Sequence, residues 1–490
     1  MSQITNAFLL LLFKKMYIIS FCCFLLISFQ CTTKSVLRFD RLTKAAEKND
    51  FISVINTIKK KPKLYGKINR FLYYFDIGTL FHYANQYDSS NIYLNEASEI
   101  YNELFTKSIT TEAAALLTND NVRPYRSKPY EMIFLHQIMA FNFLAKSDFS
   151  SALVESRRTQ LLINEWKRKD RKDVKYTSDG LFHYISALAY SHIGEPDNAA
   201  ISLYKSVKAY QQGVVSLPDP IKDLAYYTFK QNDRENDIKD LKISTKNPID
   251  RVIGLDNKKS ELILVGYAGR GPVLAENKWW GTWVKDGMLI LHYNRKGDGK
   301  KETMTLPAPS IPDDSEKEGK KTKSGTTFHI KFTMPSLKTF PSKSKYFSVT
   351  SQSIPSPVTS YKVNDLDKLC EKYLEDTRTN TVIRTTIRVV ARTIASEKTK
   401  NKLESDNAFA NLLVNFGVDL LSDQLEQADT RTGFLVPKTI HLARIPVKAG
   451  THNFTVAAHT NSGAVVHSKN FEGINIKPGE KKLIFYSSLE

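Results

Sequence analysis

The chain has 490 residues, enough for two or three domains of roughly 100–200 residues each. With 41% hydrophobic and 25% charged residues it has the composition of an ordinary globular protein, which excludes a chain too polar to bury a core. Its formal charge of +19 favours anionic partners such as phospholipid headgroups, nucleic acid or acidic envelope polymers. The lysines and arginines are spread along the chain without a nucleic-acid-reading motif, so no nucleic-acid partner is expected. Solubility alone explains the charge equally well.

The amino-terminal residues have the pattern of a secretory signal. Lys14 and Lys15 precede an apolar run from Met16 to Phe29, which is short for a transmembrane helix. Residues 26–31 resemble a lipobox, in which the cysteine after the cleavage point receives acyl chains. We therefore expect a signal peptide over residues 1–30, palmitate-type lipidation at Cys31 and a tether over residues 31–40.

Two observations bear on this expectation. Phe29 and Gln30 are bulkier than the small residues usual before a lipidated cysteine, so a plain signal anchor and a soluble secreted protein are alternatives. Cys370 is the one cysteine that follows Cys31, and a single thiol cannot pair with a lipidated cysteine. The exported protein is therefore expected to depend on its core for stability.

Residues 42–210 have apolar side chains three and four apart and few prolines, which predicts helices. Three stretches resemble tetratricopeptide (TPR) helix pairs, with Gly78, Ala140 and Ala187 at the positions where two helices approach closely. These small residues are 62 and 47 residues apart, against about 34 in the standard repeat. The pattern predicts a TPR-like α-solenoid over residues 41–212 with long helices or inserts, and a generic helical bundle is the alternative. A linker with a helix follows at 213–258.

The second half has the pattern of short strands. Residues 261–265 form an apolar run typical of a buried strand, and Pro272 in the following glycine run favours a tight turn over a dinucleotide site. Further strands are predicted at 288–293, 328–334 and 437–446, with a hairpin at 474–486. The fold class is therefore α+β multidomain: the TPR-like α-solenoid, then a β-sandwich-like domain over 259–490. This domain carries a helical insertion at about 364–427 and a mobile loop at about 295–325.

Two groups of side chains in this half could bind a partner. The first group is three tryptophans, which we interpret as sheet core in preference to a sugar or membrane site: Trp279, Trp280 and Trp283. The second is a stripe of arginines four residues apart, which we interpret as a solvated helix face paired with nearby carboxylates, in preference to a lipid-binding or acidic-partner site: Arg384, Arg388 and Arg392.

The chain resembles a family of uncharacterised bacterial envelope lipoproteins that join tetratricopeptide-like helices to a carboxy-terminal β-domain. The stretches that carry the resemblance cover most of the mature chain: 130–131 through 152–158, Phe182-His183-Tyr184, and 428–431 through Leu435, Pro437, Ala443-Arg444, Pro446 and Gly450. The resemblance implies an envelope location and no established activity, and it supplies no catalytic residues.

Catalytic, cofactor-binding and metal-binding residues are not expected. The sequence lacks His-Glu-x-x-His, Cys-x-x-Cys and Gly-x-Ser-x-Gly, and Cys370 has the pattern of a core residue. We therefore expect a membrane-tethered envelope lipoprotein that acts as a protein-interaction or assembly scaffold, with another envelope protein bound in its helical groove. No small-molecule substrate is expected. The alternative is envelope glycan or anionic lipid binding by the basic β-rich half, and an envelope enzyme is less favoured.

The lipid anchor leads to the first testable prediction. Replacing Cys31 by Ser removes the thiol that carries the acyl chains, so Cys31→Ser is expected to move the protein from the membrane fraction to the soluble fraction. Metabolic labelling with a fatty acid is expected to mark the wild type and not the variant. Unchanged membrane partition together with an unlabelled wild type would contradict lipidation.

Overall fold

The protein is a mixed α+β structure. The computed structural model describes residues 41–115, 123–170, 179–256, 258–284, 288–294, 300–307, 327–401 and 428–490. The predicted signal peptide, Cys31 and the tether lie outside the described residues.

The first half of the chain is helical, as the apolar spacing predicts. After a helical segment at residues 41–47 come α1 (Phe51–Lys60), α2 (Arg70–Tyr83), α3 (Tyr87–Ala115), α4 (Pro129–Ala145), α5 (Phe149–Asp170), α6 (Gly180–His192), α7 (Pro196–Gln212), α8 (Asp219–Gln231) and α9 (Glu235–Leu241). Helix α2 packs against α3, α4 against α5 and α6 against α7.

The three small residues predicted at helix contacts are buried. A Cβ atom added at Gly78 of α2 would lie 2.7 Å from the side chain of Leu94 in α3, so glycine allows these helices to approach closely. Ala140 in α4 and Ala187 in α6 are likewise buried. Helix α4 is unusual because all its side chains from Tyr130 to Asn142 are buried, which means that neighbours cover it all round.

The second half forms three four-stranded sheets and a long helix. Its elements are β1 (Glu261–Arg270), β2 (Val273–Val284), β3 (Met288–Asn294), β4 (Lys301–Pro307), β5 (Thr327–Lys338), β6 (Tyr346–Thr350), β7 (Val358–Thr359), β8 (Tyr361–Asp365), α10 (Leu366–Asn401), β9 (Pro437–Pro446), β10 (Gly450–His459), β11 (Val465–Ile476) and β12 (Lys481–Ser488). The strand order is β12-β1-β9-β8 in the first sheet, β11-β10-β6-β7 in the second and β4-β3-β2-β5 in the third.

The first sheet is covered on both faces. Alternate residues of β1, among them Val265 and Tyr267, join a core formed with the helices. The intervening residues, among them Leu264, pack with Phe347 and Phe454 of the second sheet. Burial on both faces explains the uninterrupted apolar run at 261–265, since a strand with one solvated face would alternate apolar and polar residues.

Buried ion pairs hold three strands of the first sheet in register. Glu261 of β1 accepts from Arg444 of β9 at 2.8 Å and from Lys481 of β12 at 2.7 Å. The Arg444 guanidinium also donates to the carbonyls of Ile253 and Gly254. The chain that leads from the helices into β1 is therefore fixed by the same cation.

The third sheet packs against α10. Trp279 stacks on Tyr293 at a ring distance of 4.0 Å, and Val382 of α10 is fully buried in the same cluster. The prediction that the tryptophans belong to the core is confirmed for Trp279. Trp280 is half-buried, and the side chain of Trp283 lies outside the description.

The structure also bears on the predicted loop and insertion. Strand β4 lies within the stretch predicted as a mobile loop, while residues 295–299 and 308–325 are outside the described chain. Helix α10 agrees with the predicted start of the helical insertion, and residues 402–427 are likewise outside.

A buried histidine joins the helices to the first sheet. The Nδ1 atom of His82 in α2 lies 2.6 Å from Oδ1 of Asn142, and its Nε2 atom lies 2.7 Å from the hydroxyl of Tyr267. The amide nitrogen of Asn142 donates to Ser90 and Asn91, so its oxygen faces His82 and Nδ1 carries the proton. Helices and first sheet therefore share one core, and the sheet covers the inner helix face that the sequence offers to a partner.

The second testable prediction is a pH dependence of stability. Burial lowers the pKa of His82 from 6.5 to about 4. As pH falls below 6.5, His82 therefore becomes protonated in the unfolded chain while it stays neutral in the folded chain. This linkage is expected to lower the unfolding free energy by roughly 3 kcal/mol by pH 4. The part of this loss that is due to His82 is expected to be absent from the His82→Gln variant.

Urea unfolding of both proteins at pH 7 and near pH 4 measures this difference. His183 and His441 also have pKa values of about 4, but they are present in both proteins and cancel in the comparison. An equal loss of stability in wild type and His82→Gln would contradict the prediction.

Candidate anion-binding cleft

A basic cleft lies where three distant parts of the chain meet. It has a volume of about 250 Å³. Its walls come from the residues before α4, from α10 with the end of β5, and from residues 428–431. Six cationic side chains are among the described residues that line it: Arg123, Arg126, Lys128, Arg384, Arg388 and Arg431. Asp429 is the one carboxylate among the described lining residues, so these residues together carry a net positive charge.

The buried carboxyl of Glu131 fixes one wall. Its Oε1 atom accepts hydrogen bonds from the hydroxyl of Thr432 at 2.9 Å and from the backbone N–H of Gly433 at 3.0 Å. Its Oε2 atom accepts from the hydroxyl of Tyr125 at 2.6 Å and from the backbone N–H of Lys128 at 2.9 Å. The Glu131 side chain at the start of α4 therefore fixes both the segment that precedes α4 and the segment that contains Thr432 and Gly433.

A second buried carboxyl fixes the next residue of the segment that Glu131 holds. Asp76 of α2 accepts from the N–H of Phe434 at 3.2 Å and from the hydroxyl of Tyr65 at 2.8 Å. Burial raises the pKa of Asp76 well above its usual value. Gly433 is needed between these contacts, because a Cβ atom there would lie 2.4 Å from the ring of Phe75.

The lining carboxylate is already paired. Arg431 donates to both oxygens of Asp429, with its Nε atom at 2.9 Å and an Nη atom at 2.8 Å. Burial raises the pKa of Asp429, but the hydrogen bonds from Arg431 and the positive charges of Lys128 and Arg431 together outweigh burial and leave the pKa below its usual value. Lys128 donates to the carbonyl of Arg431 at 2.6 Å. Asp429 is therefore ionised and engaged, and it cancels one of the six positive charges.

Helix α10 contributes the opposite wall. Arg384 is exposed at the rim, whereas Arg388 is only 3% exposed and donates to the hydroxyl of Thr385 at 3.3 Å. The interpretation of the arginine stripe as a solvated face is wrong at Arg388, because this face of α10 turns toward the cleft. The side chain of Arg392 lies outside the description.

Part of the cleft is apolar. Its lining includes Leu274, Met334, Pro335, Tyr373 and Leu374, of which Leu274 and Met334 are buried. The cleft therefore offers guanidinium groups on some sides and hydrocarbon on another. Such a surface suits a ligand that has both a negative charge and an apolar portion.

Sequence reasoning singled out one part of this site. The arginine spacing identified Arg384 and Arg388, and the resemblance included residues 428–431. It missed Arg123, Arg126 and Lys128, which follow no periodic pattern. Their common location depends on contacts across some 300 residues of chain, such as the one between Lys128 and Arg431.

The remaining chemistry-bearing groups are placed as follows. Cys370 is buried and belongs to the core. Burial raises the pKa of its thiol to about 12, so the thiol is not a nucleophile near neutral pH. The described residues contain no cluster of three His, Cys, Asp or Glu side chains that could hold a metal ion. Within the same ranges, no helix has both the length and the apolar character needed to cross a membrane.

Comparison with known proteins gave no match, whether to a family model, a curated protein or a solved structure. The resemblance to envelope lipoproteins therefore stays a prediction from the residues that carry it.

Proposed function

We propose that this chain is a membrane-tethered envelope lipoprotein that holds an anionic group of another envelope component in its basic cleft. The observation that carries the proposal is the convergence of six cationic side chains on one cleft whose lining carboxylate is already paired. Guanidinium groups bind phosphate and carboxylate in a bidentate manner, so this lining suits an anionic ligand.

In this proposal the helices form a TPR-like layer and the first two sheets a β-sandwich-like pair, and both support the cleft. The inner helix face is an unsuitable docking site for another protein, because β1 and β12 pack on it through Tyr267 and Phe485. A scaffold role would therefore depend on a different surface from the helical groove.

We also propose binding in preference to catalysis. Guanidinium groups stay protonated in proteins, so they hold a negative charge without acting as a general base or a nucleophile. Asp429, the carboxylate among the described lining residues, is engaged by Arg431 and is not available to abstract a proton.

The third testable prediction concerns the cleft charge. With the soluble mature chain that carries Cys31→Ser, Arg384→Glu is expected to weaken the binding of inorganic pyrophosphate about ten-fold or more. The reason is that a charge-assisted hydrogen bond contributes roughly 1.5–3 kcal/mol. Isothermal titration at two salt concentrations measures the affinity and its electrostatic share.

Lys368→Glu is the matched control. Lys368 is exposed on the same helix and does not line the cleft, and it lies 16 residues, or roughly 24 Å, from Arg384 along the axis. Its reversal changes the net charge equally and is expected to leave the affinity nearly unchanged. An equal loss in both variants, or no pyrophosphate binding by the wild type, would contradict the proposal.

A further inference from the structure

We infer that the anion held in the cleft is the phosphate of a phospholipid headgroup, presented by the membrane leaflet to which Cys31 is attached. This inference rests on the proposed function and names the ligand class of the same site. Three features of the described chain support it: the distance of the cleft from the residues at which the description begins, its apolar wall and its size.

The cleft lies close to the point where the tether joins the folded protein. Asp429 and Arg431 line the cleft, and five residues later Val436 lines a crevice that also contains Thr43 and Glu47. Five residues span at most about 17 Å, so the cleft and Thr43 lie on the order of 20 Å apart. The 12 residues from Cys31 to Thr43 span at most about 40 Å, so the tether keeps the cleft within reach of the bilayer surface.

The composition of the walls distinguishes a lipid from a free anion. A free phosphate or an acidic polysaccharide has no apolar portion to place against Leu274, Met334 and Leu374. The first methylene groups of the acyl chains, which follow the glycerol ester of a phospholipid, provide such a portion. The exposed guanidinium group of Arg384 provides the planar, bidentate donor that a phosphate oxygen pair accepts.

The size of the cleft limits how much of the lipid it takes. Sites that enclose a drug-sized molecule measure about 300–1,000 Å³, and this cleft is somewhat smaller at about 250 Å³. It therefore fits a phosphate with its glycerol portion and the first methylene groups of an acyl chain, while the rest of the acyl chains stays in the bilayer. Binding of this kind places the rim residues Arg126 and Arg384 at the headgroup level.

The fourth testable prediction uses vesicle sedimentation with the mature chain carrying Cys31→Ser. Phosphatidylcholine vesicles that contain phosphatidylglycerol are expected to bind the protein more tightly than vesicles made equally negative with oleate, whose charge is a carboxylate. Each cation near an anionic membrane contributes roughly five-fold in partitioning. Arg384→Gln is therefore expected to lower partitioning roughly five-fold, and Arg126→Gln with Arg384→Gln roughly 25-fold, while Lys368→Gln has little effect.

A second variant separates a lipid from a free phosphate. Leu374→Ser removes part of the apolar wall, so it is expected to lower vesicle binding by a larger factor than it lowers pyrophosphate affinity. Thermal melting of each variant verifies that it is folded.

Each remaining outcome overturns a specific statement. Pyrophosphate binding in the cleft without tight binding to phosphatidylglycerol vesicles would overturn the lipid inference and leave the proposed function standing. Equal binding to phosphatidylglycerol and oleate vesicles, or equal losses in Arg384→Gln and Lys368→Gln, would also overturn the lipid inference. If the wild type bound neither pyrophosphate nor vesicles, both the lipid inference and the proposed function would be overturned.

Discussion

The burial of the first sheet on both faces is the constraint on which the rest of the structure depends. A polar group left unpaired on a strand enclosed between helices and a second sheet costs about 1–3 kcal/mol, so pairing is strongly favoured there. The helices that face the sheet nevertheless carry polar side chains. His82 and Asn142 meet this constraint through hydrogen bonds to each other and to Tyr267 of β1, so the helical layer and the sheet have one arrangement in which all three are satisfied.

The same constraint positions the basic cleft. The buried carboxyls of Asp76 and Glu131 face the protein interior, and the backbone N–H groups of Phe434 and Gly433 satisfy them. The segment that supplies these N–H groups is the one that leads into β9 of the first sheet. Because it is held at this point, Arg431 lies beside Lys128 and opposite α10. A cationic site thus follows from the way in which the chain satisfies two buried carboxyl groups in its core.

The sequence predicts most of the elements and predicts their assembly poorly. The hairpin predicted at 474–486 is wrong, because β11 and β12 lie in different sheets and β12 pairs with β1. The apolar spacing identifies the helices, the unbroken run at 261–265 identifies a strand buried on both faces, and the composition places Trp279 and Cys370 in the core. Periodicity along a chain reports that a helix has a buried face and does not report what covers it. The covering of α2 by β1 joins residues 185 positions apart. The arginine spacing likewise predicts a solvated face, although Arg388 is buried in the structure.

The most direct test of this account is native-state hydrogen exchange on the mature chain at increasing denaturant. If the helices and the first sheet share one core, the slowest amides of α4 and of β1 exchange through the same opening, with the same free energy and the same denaturant dependence. Exchange of the α4 amides through a separate opening of lower free energy, while β1 stays protected, would contradict the account. It would mean that the helices form an independent unit whose inner face is open to a partner.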